Sequence, residues 1–266
     1  MVSQKFILVG KNSFLSQNFS NFLINKKINF LKIGFKKFLN LDDKKINNYS
    51  AVLNFSTNKR FYKEKYNSKY DFDLRIAKKI KSLNIKLVIF STGKVYKSSK
   101  NLKENSLKKP QTTYGKNKLL SENNIKKNIS NYLILRVGNI IGNRIKKNKT
   151  NVTNTFFDIL RNNLKKKKIE IPKKNFFKDF IFIDDFCIIL HTLLKKNLKG
   201  TYNFSSGKRV YLHRLAKIIS KITKIPIFYK NEITDSFTLN NSKLLKHANI
   251  NYKFKKINPK NIKKYI

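Results

Sequence analysis

Short apolar runs alternate with amphipathic stretches through most of the chain, and this alternation predicts strands separated by helices. Strands are predicted at residues 5–9, 29–34, 51–55, 87–91 and 132–137. The run at 87–91 is almost continuously apolar, which is typical of a central parallel strand that is covered on both faces. The pattern therefore predicts an α/β fold built on a doubly wound parallel sheet.

The first predicted helix opens near Asn12 or Ser13, directly after a strand and a turn at Gly10. A strand, a tight turn and a helix in this order form the context that a dinucleotide pyrophosphate site requires. Because a lone glycine indicates no more than a turn, the prediction of a nucleotide site rests on this position. A second helix is predicted from about Asn67 to Leu83, and a third begins near Thr113.

The stretch from Leu87 to Glu122 joins a buried strand to this third helix and carries the strongest candidate chemistry. Thr92 follows the strand, and Tyr114 and Lys118 lie four residues apart, which places both on one face of the helix. A phenol with a pKa of ~10 exchanges protons poorly near neutral pH unless a nearby cation favours the phenolate. Lys118 is placed to be that cation, so the stretch has the layout of an active site.

The length and composition indicate a single globular unit. With 266 residues, 40% of them apolar, the chain can form one α/β domain with a substantial core and a small appendage. One cysteine, Cys187, excludes an intrachain disulfide and fits a reducing compartment. No apolar run approaches the ~20 residues of a membrane span, and the early strand leaves no room for a signal peptide. We therefore expect a cytoplasmic protein with no membrane span.

The net charge of +46 invites a nucleic-acid interpretation. However, 53 of the 60 basic residues are Lys, and Lys, Asn, Ile and Phe, which have codons built only of A and T, fill 143 of the 266 positions. A/T bias in the genome therefore explains the lysine excess. The basic residues are spread along the chain and base-reading Arg is scarce, so no specific nucleic-acid partner is predicted. We expect attraction of anionic substrates and nonspecific RNA binding at low salt.

Several segments, in one order along the chain, resemble a known family. They are Tyr114-Gly115-Lys116-Asn117-Lys118, Leu135-Arg136 with Asn139 and Gly142, KDFIFIDDF at 178–186, and GTYNFSSG at 200–207. From about Phe6 to Lys221 the chain resembles the extended short-chain dehydrogenase/reductases, in particular the NAD-dependent epimerase/dehydratase family. The resemblance implies a Rossmann domain at 1–165, to which a segment around 178–192 returns. Residues 166–266 are then mainly a small substrate-binding lobe.

The resemblance also implies catalytic roles for Thr92, Tyr114 and Lys118. Tyr114 would exchange a proton with a sugar oxygen while hydride moves to or from a nicotinamide. Lys118 would lower the pKa of Tyr114 and hold the nicotinamide ribose, and Thr92 would share the hydrogen bond to the sugar. Asn139 and Lys178, the latter in place of a family Arg, join Thr92 as candidate substrate-binding residues.

The expected activity is that of a nucleotide-sugar 4-epimerase or 4-keto reductase, in the synthesis of surface polysaccharide precursors. Dehydratases that resemble this chain usually carry Asp-Glu directly after the catalytic Thr, where this chain has Gly93-Lys94. We therefore do not expect 4,6-dehydration. The choice between epimerase and reductase, and the identity of the sugar and its nucleotide, stay open at the level of sequence.

The resemblance implies NADP or NAD as the cofactor, and no metal site is predicted. The candidate cofactor-binding residues are Gly10, Asn12, Ser13, Phe14, Leu15, Lys36, Asp42, Phe55, Ser56, Tyr114, Lys118 and Val137. The family pattern has three glycines, of which this chain keeps Gly10 and replaces the others with Ser13 and Ser16. Lys36 lies near a strand end where the family often has an acidic residue, and a cation there tolerates a 2′-phosphate, which tilts the prediction toward NADP.

Two further expectations concern partners. The resemblance implies a homodimer in which helices around 67–83 and 113–127 form a four-helix contact. The alternative to an enzyme is a non-catalytic relative of this fold whose basic surface binds RNA or an anionic partner. Scattered lysines favour the enzyme, whereas a single connected basic face away from the cofactor crevice would favour the binding protein.

Overall fold

The computed structural model describes residues 4–145, 155–173, 175–232 and 234–266. The strands within these ranges are β1 (Phe6–Val9), β2 (Phe30–Ile33), β3 (Ala51–Asn54), β4 (Lys86–Thr92), β5 (Tyr132–Val137), β6 (Asn139–Ile141), β7 (Ile169–Pro172), β8 (Phe177–Phe182), β9 (Gly200–Phe204), β10 (Arg209–Tyr211) and β11 (Ile227–Lys230). The helices are α1 (Phe14–Asn25), α2 (Phe35–Leu39), α3 (Asp43–Asn47), α4 (Arg60–Lys63), α5 (Phe72–Lys79), α6 (Thr113–Asn128), α7 (Phe156–Lys165), α8 (Ile183–Lys195), α9 (Leu212–Thr223), α10 (Ser242–His247) and α11 (Pro259–Ile262).

The main sheet is parallel and has the strand order β2-β1-β3-β4-β5-β9. Alternate residues of each strand enter two separate cores. Phe6 and Leu8 pack with α1 and α8 on one face, whereas Ile7 and Val9 pack with α2, α5 and α6 on the other. The fold predicted from the apolar runs, a doubly wound parallel sheet, is confirmed. The chain turns to opposite sides of β1 when it adds β2 and then β3, which opens a crevice at the carboxyl ends of these strands.

Capping side chains set the start of the two helices that border this crevice. The Ser13 hydroxyl accepts a hydrogen bond from the Ser16 amide and starts α1, as the sequence predicted. The Thr112 hydroxyl accepts one from the Gly115 amide and starts α6. The buried face of α6 is mostly polar and includes Asn117, Lys118, Ser121 and Glu122. Hydrogen bonds and ion pairs therefore hold this helix to the sheet as much as apolar contacts do.

The predicted helix at 67–83 was too long at both ends. A single 3₁₀ turn covers Ser68–Tyr70, and α5 itself spans Phe72–Lys79. Asp71 separates the two because its carboxylate accepts a hydrogen bond from the Leu74 amide and so caps α5. Homodimerisation through α5 and α6 stays a prediction.

The later part of the chain adds two small sheets beside the main one. β6, β8 and β10 form a three-stranded sheet, and β7 pairs in parallel with β11. Side chains from these sheets and from the main sheet share one continuous apolar core. β9 joins the main sheet and α8 packs beside α1, whereas β8 belongs to the three-stranded sheet. The domain boundary near residue 165 and the return of the segment around 178–192 stay predictions. Over the described ranges, no helix combines the length and apolar character needed to cross a bilayer.

A buried ion pair joins α6 to the sheet. Arg136 on β5 is 1% exposed and Glu122 on α6 is fully buried, and Arg136 Nη2 lies 2.6 Å from Glu122 Oε2. The same carboxylate accepts a hydrogen bond from Ser91 at 2.5 Å, and Arg136 also donates to the Tyr96 hydroxyl at 2.6 Å. Burial alone would lower the pKa of Arg136, but Glu122 offsets this and the net shift is upward.

We expect Arg136→Met to destabilise the fold by about 3–5 kcal/mol, because it leaves the Glu122 carboxylate buried without its partner. The matched control is Arg60→Met, which removes the exposed pair between Arg60 and Glu64 and should cost at most about 1 kcal/mol. Urea unfolding followed by circular dichroism measures both. Equal losses of stability in the two variants would contradict this assignment of the buried pair.

Candidate functional site

A cleft lies at the carboxyl ends of β1, β3, β4 and β5 and reaches the later lobe. Its volume is about 830 Å³, and most of the residues predicted from the sequence line it. These are Gly10, Asn12, Ser13, Phe14, Leu15, Phe55, Ser56, Thr92, Tyr114, Lys118, Val137, Asn139 and Lys178. The structure thus brings the predicted nucleotide turn, the catalytic set and the substrate-binding candidates into one cavity.

The turn between β1 and α1 has a shape that only glycine allows. Gly10 has a φ of +100°, and a Cβ added there would lie 2.8 Å from the backbone nitrogen of Ser56. The Ser13 amide donates back to the Gly10 carbonyl at 2.9 Å, which keeps the turn tight beneath the amino end of α1. A bare turn that feeds a helix amino terminus fits the pyrophosphate of a dinucleotide.

The two serines that replace family glycines have different surroundings. Ser13 lines the cleft, and its hydroxyl oxygen accepts from the Ser16 amide while its proton remains available for a phosphate oxygen. Ser16 is fully buried behind the turn and does not border the cleft. The third motif position is therefore a packing position here, and a serine fits it without obstructing the nucleotide.

The three predicted catalytic residues all line the cleft. Thr92 ends β4, and its hydroxyl accepts a hydrogen bond from the Lys94 amide at 3.2 Å. Tyr114 and Lys118 project from α6 as the sequence predicted. The Tyr114 ring stacks on the ring of Tyr62, with centroids 4.3 Å apart and planes inclined by 8°. The stack fixes the direction of the Tyr114 hydroxyl.

Lys118 has a buried partner that the sequence did not predict. Its Nζ lies 2.8 Å from Asp73 Oδ2, and both side chains are 4% exposed. The other Asp73 oxygen accepts a hydrogen bond from Asn54 Nδ2 at 2.6 Å. Burial lowers the pKa of Lys118, but Asp73 more than offsets this, so the pKa lies above its ordinary value. Lys118 is therefore a fixed, fully charged ammonium.

The pKa of Tyr114 is shifted in the direction opposite to the one predicted. Burial, the neighbouring Tyr62 hydroxyl and the Asp73 carboxylate hold it well above its ordinary value of 10. The net shift of the Tyr114 pKa is upward, against the expectation from the sequence, because burial of the phenol is the largest cause, and the Lys118 ammonium is itself paired with Asp73. Near neutral pH Tyr114 is a protonated acid.

Two cations and one carboxylate line the cleft where the turn after β4 meets the later lobe: Lys94 belongs to that turn, and Lys178 and Asp235 belong to the lobe. Lys178 donates to the Thr234 hydroxyl at 3.0 Å and to the backbone and carboxylate oxygens of Asp235 at 2.9 and 3.2 Å. Burial lowers its pKa, and Asp235 offsets only part of that effect. Lys94 Nζ lies farther away, 3.7 Å from Asp235. Asn139 donates to the Asp179 carbonyl at 3.2 Å and lines the same wall.

Two predicted cofactor residues lie elsewhere. Lys36 is exposed on α2 and is not among the residues that line the cleft. Asp42 caps α3, where its Oδ1 accepts a hydrogen bond from the Lys44 amide at 2.7 Å, and it does not line the cleft either. The link between β2 and β3 folds into two short helices, which carry both side chains away. Lys36 does not line the cleft, and the strand end at Gly34 carries no acidic side chain, so the choice between NAD and NADP stays a prediction.

Sequence reasoning missed several residues that border or support the site. They are Asn54, Tyr62, Asp73, Lys94 and Asp235. Asn54 carried a usable signal, since it is a polar residue at the end of an otherwise apolar strand. Asp73 carried one too, because the chain has only 14 acidic residues and an acid inside an amphipathic helix is unusual here. Tyr62 lies in the short helix α4 and Asp235 lies in a loop, and neither carried such a signal.

The comparison with known families agrees with this geometry. The model of the NAD dependent epimerase/dehydratase family matches residues 19–204, which is more than half of the chain. The chain belongs to this family. The resemblance found in the sequence is thereby confirmed, and so is the prediction of a nicotinamide dinucleotide cofactor, because the family is NAD dependent.

Several solved structures share this fold at low sequence identity. TunA, an NAD-dependent NDP-hexosamine 5,6-dehydratase, is 17% identical, with a TM-score of 0.79 over 96% of this chain and 94% of its own. MoeE5 in complex with UDP-glucose and NAD is 15% identical, with a TM-score of 0.80 over 98% and 97%. A dTDP-4-dehydrorhamnose reductase from Clostridium acetobutylicum is 16% identical, with a TM-score of 0.74 over 98% of both chains. No curated protein matches the sequence.

We expect Gly10→Ala to weaken NADH binding by about tenfold or more, since each ~1.4 kcal/mol of strain or lost contact costs a factor of ten. The added Cβ meets the backbone of Ser56 and the φ of +100° is unfavourable for alanine. Titration with NADH, followed by nicotinamide fluorescence, measures the affinity.

Gly200→Ala is the matched control for this variant. Gly200 has a similar φ of +105° but lies at the opposite end of the main sheet, outside the cleft. It should lower thermal stability while leaving NADH affinity unchanged. Equal affinity in wild type and Gly10→Ala would exclude this turn as the pyrophosphate site.

Proposed function

We propose that this family member transfers hydride between NAD or NADP and a ring carbon of a nucleoside-diphosphate sugar, as a 4-keto reductase or a 4-epimerase. One observation carries the proposal: Thr92, Tyr114 and Lys118 line the same cleft as the glycine turn at Gly10. The cofactor supplies or accepts the hydride, and residues of the chain bind the substrate and transfer the proton. A role in surface polysaccharide precursor synthesis is consistent with this activity.

Each residue of the catalytic set has a role that its surroundings support. The Tyr114 phenol gives its proton to the sugar oxygen, or takes one from it, in the step that moves the hydride. The Thr92 hydroxyl, at the end of β4, shares the hydrogen bond to that oxygen. Lys118 holds the nicotinamide ribose with the ammonium protons that Asp73 does not accept, since an ammonium has three donors.

Proton transfer through Tyr114 serves either reaction. Reduction of a 4-keto sugar needs a proton donor at the carbonyl oxygen, and a protonated phenol is such a donor. An epimerase first oxidises its substrate, which needs a proton acceptor at the same position, and then reduces the keto sugar, which needs the donor again. The 4-keto reductase and the 4-epimerase therefore remain alternatives that consumption of the cofactor separates.

The residues that follow Thr92 argue against 4,6-dehydration. An acidic residue at position 93 has no room, because a Cβ there would collide with the ring of Phe237. Position 94, where a dehydratase would carry the base, holds Lys94, which lines the cleft as a cation. Dehydratases are among the structures that share the fold. The lack of a carboxylate at positions 93 and 94 supports the proposal that this protein is not a 4,6-dehydratase.

Two cations that line the cleft, one after β4 and one in the lobe, support an anionic substrate. Lys94 and Lys178 face the cleft with one carboxylate, Asp235, between them, which leaves a net positive wall. A sugar diphosphate carries negative charge that such a wall attracts. MoeE5 is bound to UDP-glucose and the Clostridium enzyme reduces a dTDP-4-keto sugar, which makes nucleotide sugars the first class to test.

The deciding experiment offers the protein UDP-, dTDP- and GDP-linked sugars and 4-keto sugars, with and without NADPH or NADH. The reductase proposal expects consumption of one reduced cofactor for each keto sugar converted. Isomerisation without added cofactor would select the epimerase, and a 4-keto-6-deoxy product would show a dehydratase. Conversion of no nucleotide sugar would favour the non-catalytic alternative with a basic binding surface.

We expect Tyr114→Phe to lower turnover by about 10²–10⁴-fold, the range of general acid–base catalysis, while cofactor affinity changes little. Tyr62→Phe is the matched control, because it keeps the stacked ring and removes the neighbouring hydroxyl. Steady-state kinetics should show a much smaller loss for Tyr62→Phe. Full activity of Tyr114→Phe, or a larger loss in Tyr62→Phe, would show that Tyr114 is not the proton donor.

A further inference from the structure

Two buried carboxylates, Asp71 and Asp73, lie at the start of α5, against the helix that carries Tyr114 and Lys118. Asp71 caps α5 and accepts hydrogen bonds from Tyr66 at 2.8 Å and Ser121 at 2.9 Å. Asp73 is instead the partner of Lys118. A buried carboxylate is costly unless it is paired and hydrogen-bonded, so the position of Asp73 calls for a physical reason.

Asp73 connects Lys118 to the wall of the cleft through a short chain of hydrogen bonds. Its Oδ2 accepts from Lys118, and its Oδ1 accepts from Asn54 at the end of β3. The Asn54 side-chain oxygen in turn accepts from the amide and the hydroxyl of Ser56, at 2.9 and 2.5 Å. Ser56 lines the cleft beside Gly10. The ammonium of Lys118 is thus held against the nucleotide turn with little freedom to move.

The charge of Asp73 also acts on both titrating groups of the catalytic set. Lys118 faces Asp73 and Asp71 from α5, Tyr62 and the Phe61 ring from α4, and Tyr114 from its own helix. Tyr114 faces Tyr62 and Asp73. A negative charge favours the protonated form of a phenol and of an ammonium alike. Asp73 therefore raises the pKa of both residues.

We propose that Asp73 is a positioning residue of the reaction, which fixes Lys118 Nζ and offsets its positive charge beside Tyr114. Asp73 is not among the residues that line the cleft, so it acts through Lys118. The inference rests on the proposed function, in which Tyr114 exchanges the proton. It adds a third, buried member to the Tyr114–Lys118 pair, through the contact of 2.8 Å between Asp73 Oδ2 and Lys118 Nζ.

The test is the near-isosteric variant Asp73→Asn. It removes the negative charge. The amide that replaces the carboxylate has one acceptor oxygen, so it cannot accept hydrogen bonds from Lys118 and Asn54 on two separate oxygens. The apparent pKa of Tyr114 in the pH profile of kcat/KM should fall by about one unit or more, since a nearby charge shifts a pKa by roughly 1–3 units and the negative charge of Asp73 raises that of the phenol. A purely structural role would lower kcat/KM equally at every pH. Superimposable profiles for wild type and variant would overturn the proposal.

Asp71→Asn is the matched control, because it removes a buried charge from the same helix that is not bonded to Lys118. Its profile should move less than that of Asp73→Asn. A shift as large as that of Asp73→Asn would mean that any acid in this region suffices, and would overturn the specific role of Asp73.

A second readout needs neither substrate nor cofactor. Nuclear magnetic resonance of protein labelled at the tyrosine Cζ carbon follows Tyr114, whose signal is assigned by its loss in Tyr114→Phe. Deprotonation of Tyr114 should begin at lower pH in Asp73→Asn than in wild type. An unchanged titration would overturn the proposal about Asp73 even if the enzyme is active. If the titration of Tyr114 shifts but the protein converts no nucleotide sugar, the effect of the Asp73 charge is upheld and the proposed function is not.

If Asp73→Asn does not fold, the variant Lys118→Met and the double variant Asp73→Asn/Lys118→Met test whether the two side chains are energetically coupled. Lys118→Met leaves Asp73 buried without its cation, and adding Asp73→Asn removes that charge. The double variant should therefore unfold at a higher temperature than Lys118→Met alone. An equal or lower midpoint would show that the two side chains are not coupled, and would overturn the proposal.

Discussion

The buried ion pair between Arg136 and Glu122 holds together the end of the sheet on which the site is built. Arg136 belongs to β5 and Glu122 to α6, and Ser91 at the end of β4 donates to the same carboxylate. Tyr96 accepts from Arg136 and donates to Asn203 on β9 at 2.8 Å. Neither charge is tolerable in this interior without the other. Three strands and one helix therefore reach their native arrangement together or not at all.

This constraint explains how α6 can present catalytic groups with little freedom of movement. The helix does not rest on a broad apolar face. Asn117 donates to the backbone oxygens of Phe61 and Glu64, both at 2.9 Å, and Ser121 donates to Asp71. Such contacts are directional, so they fix the rotation of the helix about its own axis as well as its distance from the sheet. The direction of the Tyr114 hydroxyl is set by these bonds before any substrate arrives.

The parts of the fold that local physics determines were predictable from the sequence. β5 was predicted with its observed bounds because its apolar run is bounded on both sides by polar residues. The start of the helix predicted at Asn67–Leu83 was placed too early, because Asp71 caps α5. Apolar periodicity contains no information about such competition between hydrogen-bond partners. The resemblance to the family assigned Asp42 to the cofactor. In the fold its carboxylate instead accepts a hydrogen bond at the start of α3, which is again a local cap. The role of Asp73 depends on Lys118, 45 residues away, and only the folded chain brings the two together.

The distribution of charge separates the surface of this protein from its site. The chain has 60 basic and 14 acidic residues, so an acid is rare and each buried one needs a reason. Glu122, Asp73 and Asp235 each lie against a basic side chain that borders or supports the cleft. The lysine excess is therefore a property of the exposed surface, whereas the interior of the site is built from matched pairs. Under biased base composition, surface residues can be replaced by lysine at small cost in stability. Replacement of one member of a buried pair leaves the other charge without its partner and is strongly destabilising. The scarce acids, more than the abundant lysines, mark where the chemistry lies.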